Sequence, residues 1–386
     1  MKHPSVIKLS KSALENNIKY LQKRIGKSVK FVSVIKSNAY GHGIREFLPI
    51  AEACGIDYFA VFDSCEAEIA FNVKKLETKI MIMGMIADED ILWAVKNDIS
   101  FFVFENTRLK QAIKEAKKLD KTAKIHLEIE TGLHRSGYEA DELKKAVKLI
   151  KQNKNSLFIE GICTHYAGTE SIANYVRIKN QIKRFNEVKN WLKERKIIPK
   201  YYHTANSAAA FVYPETCMDM VRMGIVQYGF WPSEEVRIHN TLTSKDKNFE
   251  YRALKRVLKW ESQIMSIEHV EPGEFISYGN FFQASRKTKI ATIPVGYSHG
   301  YRRSLSNLGW VLVKGKKAPV IGMVNMSVMI INITSIPLVK KGDTVVLIGK
   351  QGKHEITVAS FSEISNLVNY EFLCRLPERI PRIIKK

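Results

Sequence analysis

Apolar and polar positions alternate regularly along the chain before residue 233. Short apolar segments rich in β-branched residues are separated by amphipathic segments with apolar residues at helical spacing. This alternation is typical of βα units around a parallel sheet. The eight candidate strands are Phe31–Ile35, Tyr58–Val61, Lys79–Met83, Ser100–Phe104, Lys124–Ile129, Phe158–Cys163, Tyr201–Thr204 and Met220–Gln227.

Helices are predicted between these strands, among them Thr107–Leu119, Ala140–Lys151 and Tyr175–Lys196. Eight βα units favour a TIM-type (β/α)8 barrel, whose active site is built at the carboxyl ends of the strands. The polar residues that follow predicted strand ends are Lys36, Glu130, His165, Asn206 and Tyr228. We therefore expect the functional groups at that end of the barrel.

The pattern changes after the barrel. Residues 233–258 are polar and strongly charged, and we interpret them as a loop, hairpin insertion or linker. Residues 259–386 show short alternating runs with turn signals, which predict a smaller, mainly β C-terminal domain after the barrel domain of residues 1–232. The predicted elements there are Gln263–His269, Ile290–Val295, Trp310–Val313, Val320–Ile321, Met329–Ile333, Thr344–Ile348, a helix over Phe361–Tyr370 and an extended end.

Composition narrows the class of protein. The 386 residues exceed what one hydrophobic core usually serves, and the net charge of +22 comes from lysines dispersed along helical faces. That dispersal disfavours a nucleic-acid binder. Five scattered cysteines without ligand spacing indicate a reducing compartment and no metal site. With neither a signal peptide nor a membrane-spanning run, we expect a cytoplasmic protein that does not bind membranes.

One stretch concentrates candidate chemistry. Phe31–Ile35 ends at Lys36, and the glycine-rich turn Asn38–Gly43 follows, with Tyr40 inside it. A lysine at a buried strand end either extends its ammonium into solvent or is a desolvated amine able to form a Schiff base. The turn favours the second interpretation, because glycines permit close backbone approach and a tyrosine hydroxyl can bind an anion.

The segment from Val34 to Gly43 resembles the pyridoxal-phosphate lysine motif of the alanine racemases, and further matches extend to Arg382. The resemblance implies that a barrel domain binds the cofactor pyridoxal 5'-phosphate. It also implies that the protein interconverts L- and D-alanine and so supplies D-alanine for peptidoglycan. It also implies a homodimer with shared active sites, in which the β-domain of one subunit caps the barrel of the other.

The resemblance assigns two catalytic bases. Lys36 matches the cofactor lysine, and Tyr278 in Ser277-Tyr278-Gly279 matches the second base. Racemisation requires a base on each face of the planar carbanion, and a phenol needs cationic neighbours to work near neutral pH. His165 and Arg222 match the family residues beside the tyrosine and the cofactor ring. An arginine keeps the ring nitrogen unprotonated, which suppresses transamination and separates racemases from same-fold decarboxylases.

Further residues of this chain match family residues that contact substrate or cofactor. Arg135 resembles the arginine that steers the substrate carboxylate, and Met326 the residue whose backbone amide meets that carboxylate from the partner subunit. Small residues and a helix start after Asn206 suit an anion. The resemblance implies cofactor contacts, mainly to the phosphate, from Tyr40, Asn206, Ser207, Gly224, Ile225 and Tyr370.

Some positions depart from the family pattern. His299 and Ser327 stand where acidic residues are common, and Arg302 replaces a proline, so we expect a more positive entrance. Glu128 stands where many members carry a modified lysine that supports the steering arginine. A racemase with a preference for serine or acidic amino acids, a same-fold decarboxylase and a non-catalytic cofactor carrier remain alternatives. Arg222 disfavours the decarboxylase, and Tyr278 with a full β-domain disfavours the carrier.

Overall fold

A computed structural model describes residues 3–243, 254–362 and 369–385. It divides the chain into two compact units. The barrel unit comprises residues 13–37 and 48–255, and the C-terminal unit comprises residues 1–12, 38–47 and 256–386. Within the described ranges, no helix has the length and apolar content needed to cross a bilayer.

The barrel unit contains eight parallel strands, which confirms the predicted fold class. The chain begins with strand β1 (Ser5–Ser10), which belongs to the other unit. The barrel strands are β2 (Lys30–Val34), β3 (Tyr58–Val61), β4 (Lys79–Ile82), β5 (Ser100–Val103), β6 (Ala123–Glu128), β7 (Leu157–Cys163), β8 (Tyr201–His203) and β9 (Met220–Met223). All eight overlap the predicted strands, although most of their ends differ by one or more residues. The longest overrun is at β9, because a 3-10 turn, Ile225–Tyr228, replaces the end of the predicted strand.

The strands hydrogen-bond in the order β8, β7, β6, β5, β4, β3, β2, β9. The two outer strands approach each other, since the Asp219 amide donates to the Tyr202 carbonyl and the Arg222 amide to the Ala205 carbonyl, both at 3.1 Å. The barrel is therefore nearly closed. Short, fully buried strands of this kind need no alternation of apolar and polar residues, which is why they appear as continuous apolar runs.

Helices follow the barrel strands, as βα units require. The predicted helices are present at Asn106–Lys118, Ala140–Gln152 and Tyr175–Glu194. The other helices up to residue 243 are Lys11–Ile25, Lys36–Tyr40, Ile44–Glu52, Ser64–Val73, Asp88–Lys96, the 3-10 turn Ile172–Asn174, Ala209–Val212, the 3-10 turn Pro214–Thr216 and Glu234–Thr243.

The charged segment after the barrel is partly helical, contrary to the interpretation as a loop or hairpin. Ser233 begins the helix Glu234–Thr243, because its hydroxyl accepts from the Val236 amide at 3.2 Å. Val236 is buried, so the helix is anchored despite its charged surface. Residues 244–253 of the predicted insertion lie outside the described residues.

The C-terminal unit is built mainly from two sheets, in which all pairs are antiparallel except the parallel pair of β1 with the C-terminal strand. Its strands are β10 (Leu258–Gln263), β11 (Ser266–Val270), β12 (Thr288–Ile293), β13 (Trp310–Val313), β14 (Lys316–Pro319), β15 (Met329–Asn332), β16 (Thr344–Gln351), β17 (His354–Ile356) and β18 (Arg382–Lys385). One sheet has the order β14, β13, β16, β10, β1, β18, with β17 paired to β16. The other has the order β11, β12, β15. A mainly β domain was therefore predicted correctly.

Several details of this unit differ from the predictions. The run Gln263–His269 contains a break between β10 and β11, and Val320 makes only an isolated bridge to Ile331. The helices near the C-terminus are Ala359–Ser362 and Asn369–Cys374, whereas residues 363–368 of the predicted helix lie outside the described residues. Short 3-10 turns occur at Tyr297–His299 and Arg303–Leu305.

Candidate active site

Lys36 lies two residues beyond the carboxyl end of β2, as predicted. The Ile35 amide donates to the Ala60 carbonyl at 2.8 Å and so keeps the backbone parallel to β3 up to this point. Behind it, the Val34 carbonyl accepts from Tyr228 Oη at 2.9 Å and from Gln227 Nε2 at 3.0 Å. Tyr228, fully buried, therefore fixes the backbone that presents Lys36.

The turn after Lys36 is a left-handed helical turn. Four successive non-glycine residues have positive φ: Ser37 at 53°, Asn38 at 51°, Ala39 at 54° and Tyr40 at 52°. Left-handed helical residues cost roughly 1–2 kcal/mol each, so single residues are usual and four in a row are rare. The sequence predicted a glycine-rich turn, but only Gly41 and Gly43 within it supply the freedom that glycine gives.

The C-terminal unit holds the end of this turn. Asn38 accepts from the Ile44 amide through Oδ1 and from the Gly43 amide through its carbonyl, at 2.8 and 2.9 Å. The buried Arg382 donates to the Gly41 carbonyl through Nη2 at 3.0 Å and through Nε at 3.3 Å. These bonds offset part of the backbone strain. Tyr40 and Tyr370, both predicted phosphate ligands, meet edge to face with ring centroids 6.4 Å apart.

Arg222 is buried on β9 and is held entirely by uncharged groups. Nη1 donates to His203 Nδ1 at 2.5 Å and to the His203 carbonyl at 2.8 Å, while Nη2 donates to the carbonyls of Thr164 at 2.8 Å and Thr204 at 3.2 Å. All these bonds use Nη1 and Nη2, so within the described part of the chain the Nε–H is left for a ligand. A ring nitrogen with a lone pair is a suitable acceptor for it.

His165 lies among the cationic residues of the barrel unit. Its pKa is lowered to about 3 by desolvation of the ring and by the positive charges of Arg222, Arg135 and Lys36. The imidazole of this chain is therefore neutral near pH 7. This differs from the expectation that His165 supplies a positive charge to Tyr278, and of the two predicted neighbours Arg222 alone carries one. Three cations that act on one imidazole suit an anionic cofactor and a carboxylate substrate.

The predicted phosphate contacts of the barrel unit converge at the start of the Ile225–Tyr228 turn. Ser207 Oγ accepts from the Gly224 amide at 2.9 Å, which leaves its own hydroxyl hydrogen available to a ligand. The Gly224 amide thus donates to a side chain here, and its contact with the phosphate stays a prediction. The Ile225 amide is the first donor of its turn and has no acceptor within it. Asn206 accepts from the Ala209 amide and from Thr169 Oγ1, both at 2.9 Å.

Tyr278 lies in a tight loop of the C-terminal unit that is bonded to the loop of Met326. Ser277 has a φ of 70° and donates through Oγ to the Met323 carbonyl at 2.8 Å, with Asn325 Oδ1 at 3.3 Å. Gly322 permits this approach, since a Cβ there would lie 2.5 Å from the Ile276 carbonyl oxygen. The structure therefore brings the two predicted residues onto one surface, where Tyr278 is 70% and Met326 60% exposed.

Two family models match consecutive parts of the chain. The alanine racemase N-terminal domain covers residues 9–232, and the alanine racemase C-terminal domain covers residues 257–384. The chain belongs to the alanine racemase family. Alanine racemases are isomerases that depend on pyridoxal phosphate, so isomerase activity and this cofactor follow from membership. The resemblance seen in the sequence is confirmed.

Similar proteins match over their whole length. The alanine racemase of Leptospira interrogans serovar Lai is 34% identical, with 99% of this chain and 96% of that protein covered. That of Methanococcus maripaludis is 34% identical, with coverages of 99% and 98%. A crystal structure of the Bacillus anthracis alanine racemase with bound L-Ala-P has a TM-score of 0.89 at 31% identity, covering 100% of this chain and 96% of that chain.

The residues fit the cofactor of the alanine racemases. Arg222 offers its Nε–H, Ser207 offers a hydroxyl, the Ile225 amide begins a turn, and the cations around His165 match a phosphate and a carboxylate. Within residues 3–243, 254–362 and 369–385, no three side chains of His, Cys, Asp or Glu are grouped in a way that could hold a metal ion.

Glu128 and Arg135 differ in their surroundings. Glu128 is buried, its Oε2 has no hydrogen-bond partner in the described ranges, and its pKa is raised by burial despite the opposing effects of Ser136, Arg135 and Arg222. Arg135 is exposed, and across the described ranges no ion pair within 4.0 Å joins it to Glu128. The carboxylate thus influences the arginine through space and not by a direct bond.

At His299 the departure from the family pattern lies in the interior and not on the surface. His299 is buried, with Nδ1 3.3 Å from the Gly296 amide, and its pKa is lowered by burial, Arg379 and His3. The ring is therefore neutral and stabilises its own 3-10 turn. Comparison with family members that carry an acidic residue at this position does not reveal that role. Ser327 is exposed and Arg302 is half-buried, so these two departures alone alter the surface.

The polar residues inside the barrel were not predicted from the sequence. His203 binds Arg222 directly, and His126, Glu160, Tyr58 and Lys79 continue inward from it. The signal was present, because His126 and Glu160 interrupt otherwise apolar strands. Barrel interiors are usually filled by branched apolar side chains, so buried polar residues there require a reason.

Proposed function

We propose that this chain interconverts L- and D-alanine with Lys36 and Tyr278 as the two bases. The observation that carries the proposal is the environment of Arg222, a guanidinium held by three carbonyls and one imidazole with its Nε–H left for a ring nitrogen. A decarboxylase of this fold would need a carboxylate at that position. Among the described residues, none of the bonds to Arg222 comes from a carboxylate.

The role of each residue follows from its charge and its position. Pyridoxal phosphate, when bound, withdraws electrons from the amino acid and so acidifies its α-hydrogen. Lys36 Nζ takes or returns the α-proton on one face of the substrate, and Tyr278 Oη does so on the other. Arg135 binds the substrate carboxylate, and neutral His165 offers a hydrogen bond. Ser207, Asn206 and the Ile225 amide hold the phosphate, and Tyr40 and Tyr370 stay the further phosphate ligands that the resemblance implies.

We infer further that two copies of the chain complete each site. Tyr278 and Met326 are exposed on the C-terminal unit, and the chain segment that carries Tyr278 also carries Phe275 and Phe281, which are 50% and 62% exposed. Clustered exposed aromatic residues are typical of interfaces. A catalytic phenol that is 70% exposed needs a partner surface to exclude water. The proposed arrangement is a homodimer in which the C-terminal unit of each subunit serves the barrel of its partner.

The decisive experiment is racemisation of L- and D-alanine by the purified protein with pyridoxal phosphate, followed by circular dichroism. Interconversion in both directions without release of CO2 supports the proposal. Release of CO2 would favour a decarboxylase, and cofactor binding without turnover of any amino acid would favour a carrier. Supply of D-alanine to peptidoglycan and a cytoplasmic location remain predictions.

Subunit complementation tests the shared site. Lys36→Ala and Tyr278→Phe subunits are each expected to be inactive, whereas a mixture should regain activity because the heterodimer contains one intact site. Subunit exchange is verified with differently tagged chains. Exchange without recovery would refute the shared site and leave the racemase assignment to the alanine assay.

A further inference from the structure

A line of polar side chains runs through the barrel unit from Arg222 toward the amino ends of the strands. His203 Nε2 lies 2.9 Å from His126 Nδ1, and both rings are fully buried. His126 Nε2 lies 3.2 Å from Tyr58 Oη and 3.6 Å from Glu160 Oε2. We call the set Arg222, His203, His126, Tyr58 and Glu160 the barrel relay.

Lys79 binds Glu160, the last residue of the barrel relay, on the side opposite the cofactor site. Tyr58 Oη donates to Glu160 Oε2 at 3.0 Å, and Lys79 Nζ donates to Glu160 Oε1 at 3.1 Å. Lys79 is the first residue of β4 and is partly exposed, whereas Arg222 lies near the carboxyl end of β9. The connected groups therefore span the barrel from one mouth to the other.

The backbone makes room for the barrel relay. A Cβ on Gly161 would lie 2.1 Å from His126 Nδ1 and 2.7 Å from His203 Nε2, so no other residue fits inside β7 there without moving a ring. The pairing of β6 with β7 also shifts register between Ile125 and His126. A strand glycine and a bulge both weaken a sheet, and both commonly occur where a side chain must be redirected.

The donors of the barrel relay all point in one direction. A guanidinium only donates, so His203 Nδ1 must accept and, in the neutral ring, Nε2 carries the hydrogen. Nε2 then donates to His126 Nδ1, and His126 Nε2–H points toward Tyr58 and the Glu160 carboxylate. Burial lowers the pKa of both histidines, and Arg222 lowers them further. Glu160 raises the pKa of His126 but does not outweigh burial, so both rings are neutral near pH 7. The order of donors is thereby fixed from Arg222 to Glu160.

We propose that Glu160, His126 and His203 are positioning residues that hold the Arg222 guanidinium in one orientation toward the cofactor ring. The Glu160 carboxylate accepts at the far end, Lys79 fixes its rotamer, and each imidazole transmits one tautomer to the next. This role rests on the proposed function of Arg222. It extends that function to residues at the other mouth of the barrel, which touch neither cofactor nor substrate.

Glu160→Gln tests the direction of the donors. Because Lys79 only donates, the amide must turn its oxygen to Lys79 and its NH2 toward Tyr58 and His126, where it opposes the His126 N–H. We expect kcat for alanine to fall roughly 3- to 30-fold, as for mutations that act through a buried network. The ratio of racemisation to slow transamination should fall too, because a displaced Arg222 no longer keeps the ring nitrogen unprotonated.

The double variant Lys79→Met/Glu160→Gln provides the rescue. Without Lys79, the amide can turn its oxygen to Tyr58 and restore the order of donors, so kcat and the reaction ratio should return to within about threefold of wild type. Lys79→Met alone should cost less than Glu160→Gln, because the Glu160 carboxylate still accepts from Tyr58 Oη although its rotamer is less well fixed. Glu115→Gln, at a buried carboxylate on the helix Asn106–Lys118 and outside the barrel relay, is the matched control and should change neither quantity.

Thermal unfolding separates positioning from packing. If Glu160→Gln lowers only the melting temperature, or if the double variant is as impaired as Glu160→Gln, the barrel relay merely fills the barrel and the inference is overturned. Tyr58→Phe, which removes one hydroxyl, tests the same point should Glu160→Gln fail to fold, and an unchanged reaction ratio would again overturn it. Absence of racemisation in the wild type would instead refute the proposed function itself.

Discussion

Substitution of Gly41 by alanine tests the turn that follows Lys36. Gly41 has a φ of 77°, and a Cβ on it would lie 1.9 Å from the Leu373 carbonyl oxygen and 2.8 Å from the carbonyl carbon. Ordinary contacts begin near 3.4 Å, so the backbone of one segment must move by more than an ångström. Leu373 lies in the helix Asn369–Cys374, which also carries Tyr370.

The expected magnitude has two parts. A left-handed alanine costs roughly 1–2 kcal/mol, and forced overpacking costs about 1–3 kcal/mol more. Gly273 is the matched control in the same unit, because its φ is 90° and a Cβ there would meet nothing within 4 Å. Gly273→Ala should therefore lose only the first amount. The difference between the two variants isolates the close approach of Gly41 to Leu373.

Thermal unfolding and cofactor titration measure the two consequences. A unit of this size loses roughly 2–4 °C in melting temperature per kcal/mol, so Gly41→Ala should melt several degrees below Gly273→Ala. Gly41→Ala should also bind pyridoxal phosphate more weakly, because Tyr40 and Tyr370 move. Equal melting temperatures and equal cofactor affinity in the two variants would refute the reasoning.

Four further results are expected. Lys36→Ala should abolish racemisation and the visible absorption of bound cofactor; an unchanged spectrum would contradict the assignment of the lysine. Tyr278→Phe should keep the cofactor but lose at least about 100-fold in turnover, with residual exchange of the α-hydrogen favouring one enantiomer; loss without asymmetry would count against two bases. Stability should decrease as pH falls from about 6.5 toward 3, because buried His42 has a pKa lowered to about 3 and the unfolded chain binds the proton more tightly; His42→Gln should flatten this dependence, measured as melting temperature against pH. Ser327→Asp should reduce turnover of aspartate and glutamate relative to alanine if entrance charge matters, whereas His299→Asp should chiefly destabilise its buried turn; unaltered substrate ratios in Ser327→Asp would show that this position does not set specificity.

Local pattern accounts for most of the barrel. Its strands are short, continuous and apolar, and each is separated from the next by an amphipathic helix, so both elements and order follow from periodicity. The predicted strand ends were wrong where an apolar run continued beyond the strand, as from Met220 to Gln227. There the Gly224 backbone turns the chain into the Ile225–Tyr228 turn, and hydrophobicity does not encode that change.

The candidate site was predicted unevenly for a physical reason. Residues that act through their identity, such as Lys36 and Arg222, are visible in a motif. Properties that arise from surroundings are not: the neutral state of His165 depends on burial of its ring and on three cations that are distant in sequence, and the burial of His299 depends on packing. The left-handed turn after Lys36 also escaped prediction, because four non-glycine residues at positive φ contradict local propensity.

The place of the first strand has a consequence for synthesis on the ribosome. β1 pairs antiparallel with β10, whose residues follow roughly 250 positions later, and parallel with β18 near the end of the chain. At about 5–20 residues per second, β1 waits roughly 12–50 s for its first neighbour, and the whole barrel emerges in the meantime. The nascent chain thus carries an unpaired strand with a buried-type apolar face during most of translation. Chaperones should therefore be needed mainly by the amino-terminal segment, and a circular permutant that places β1 after β18 should aggregate less during its synthesis than the natural order.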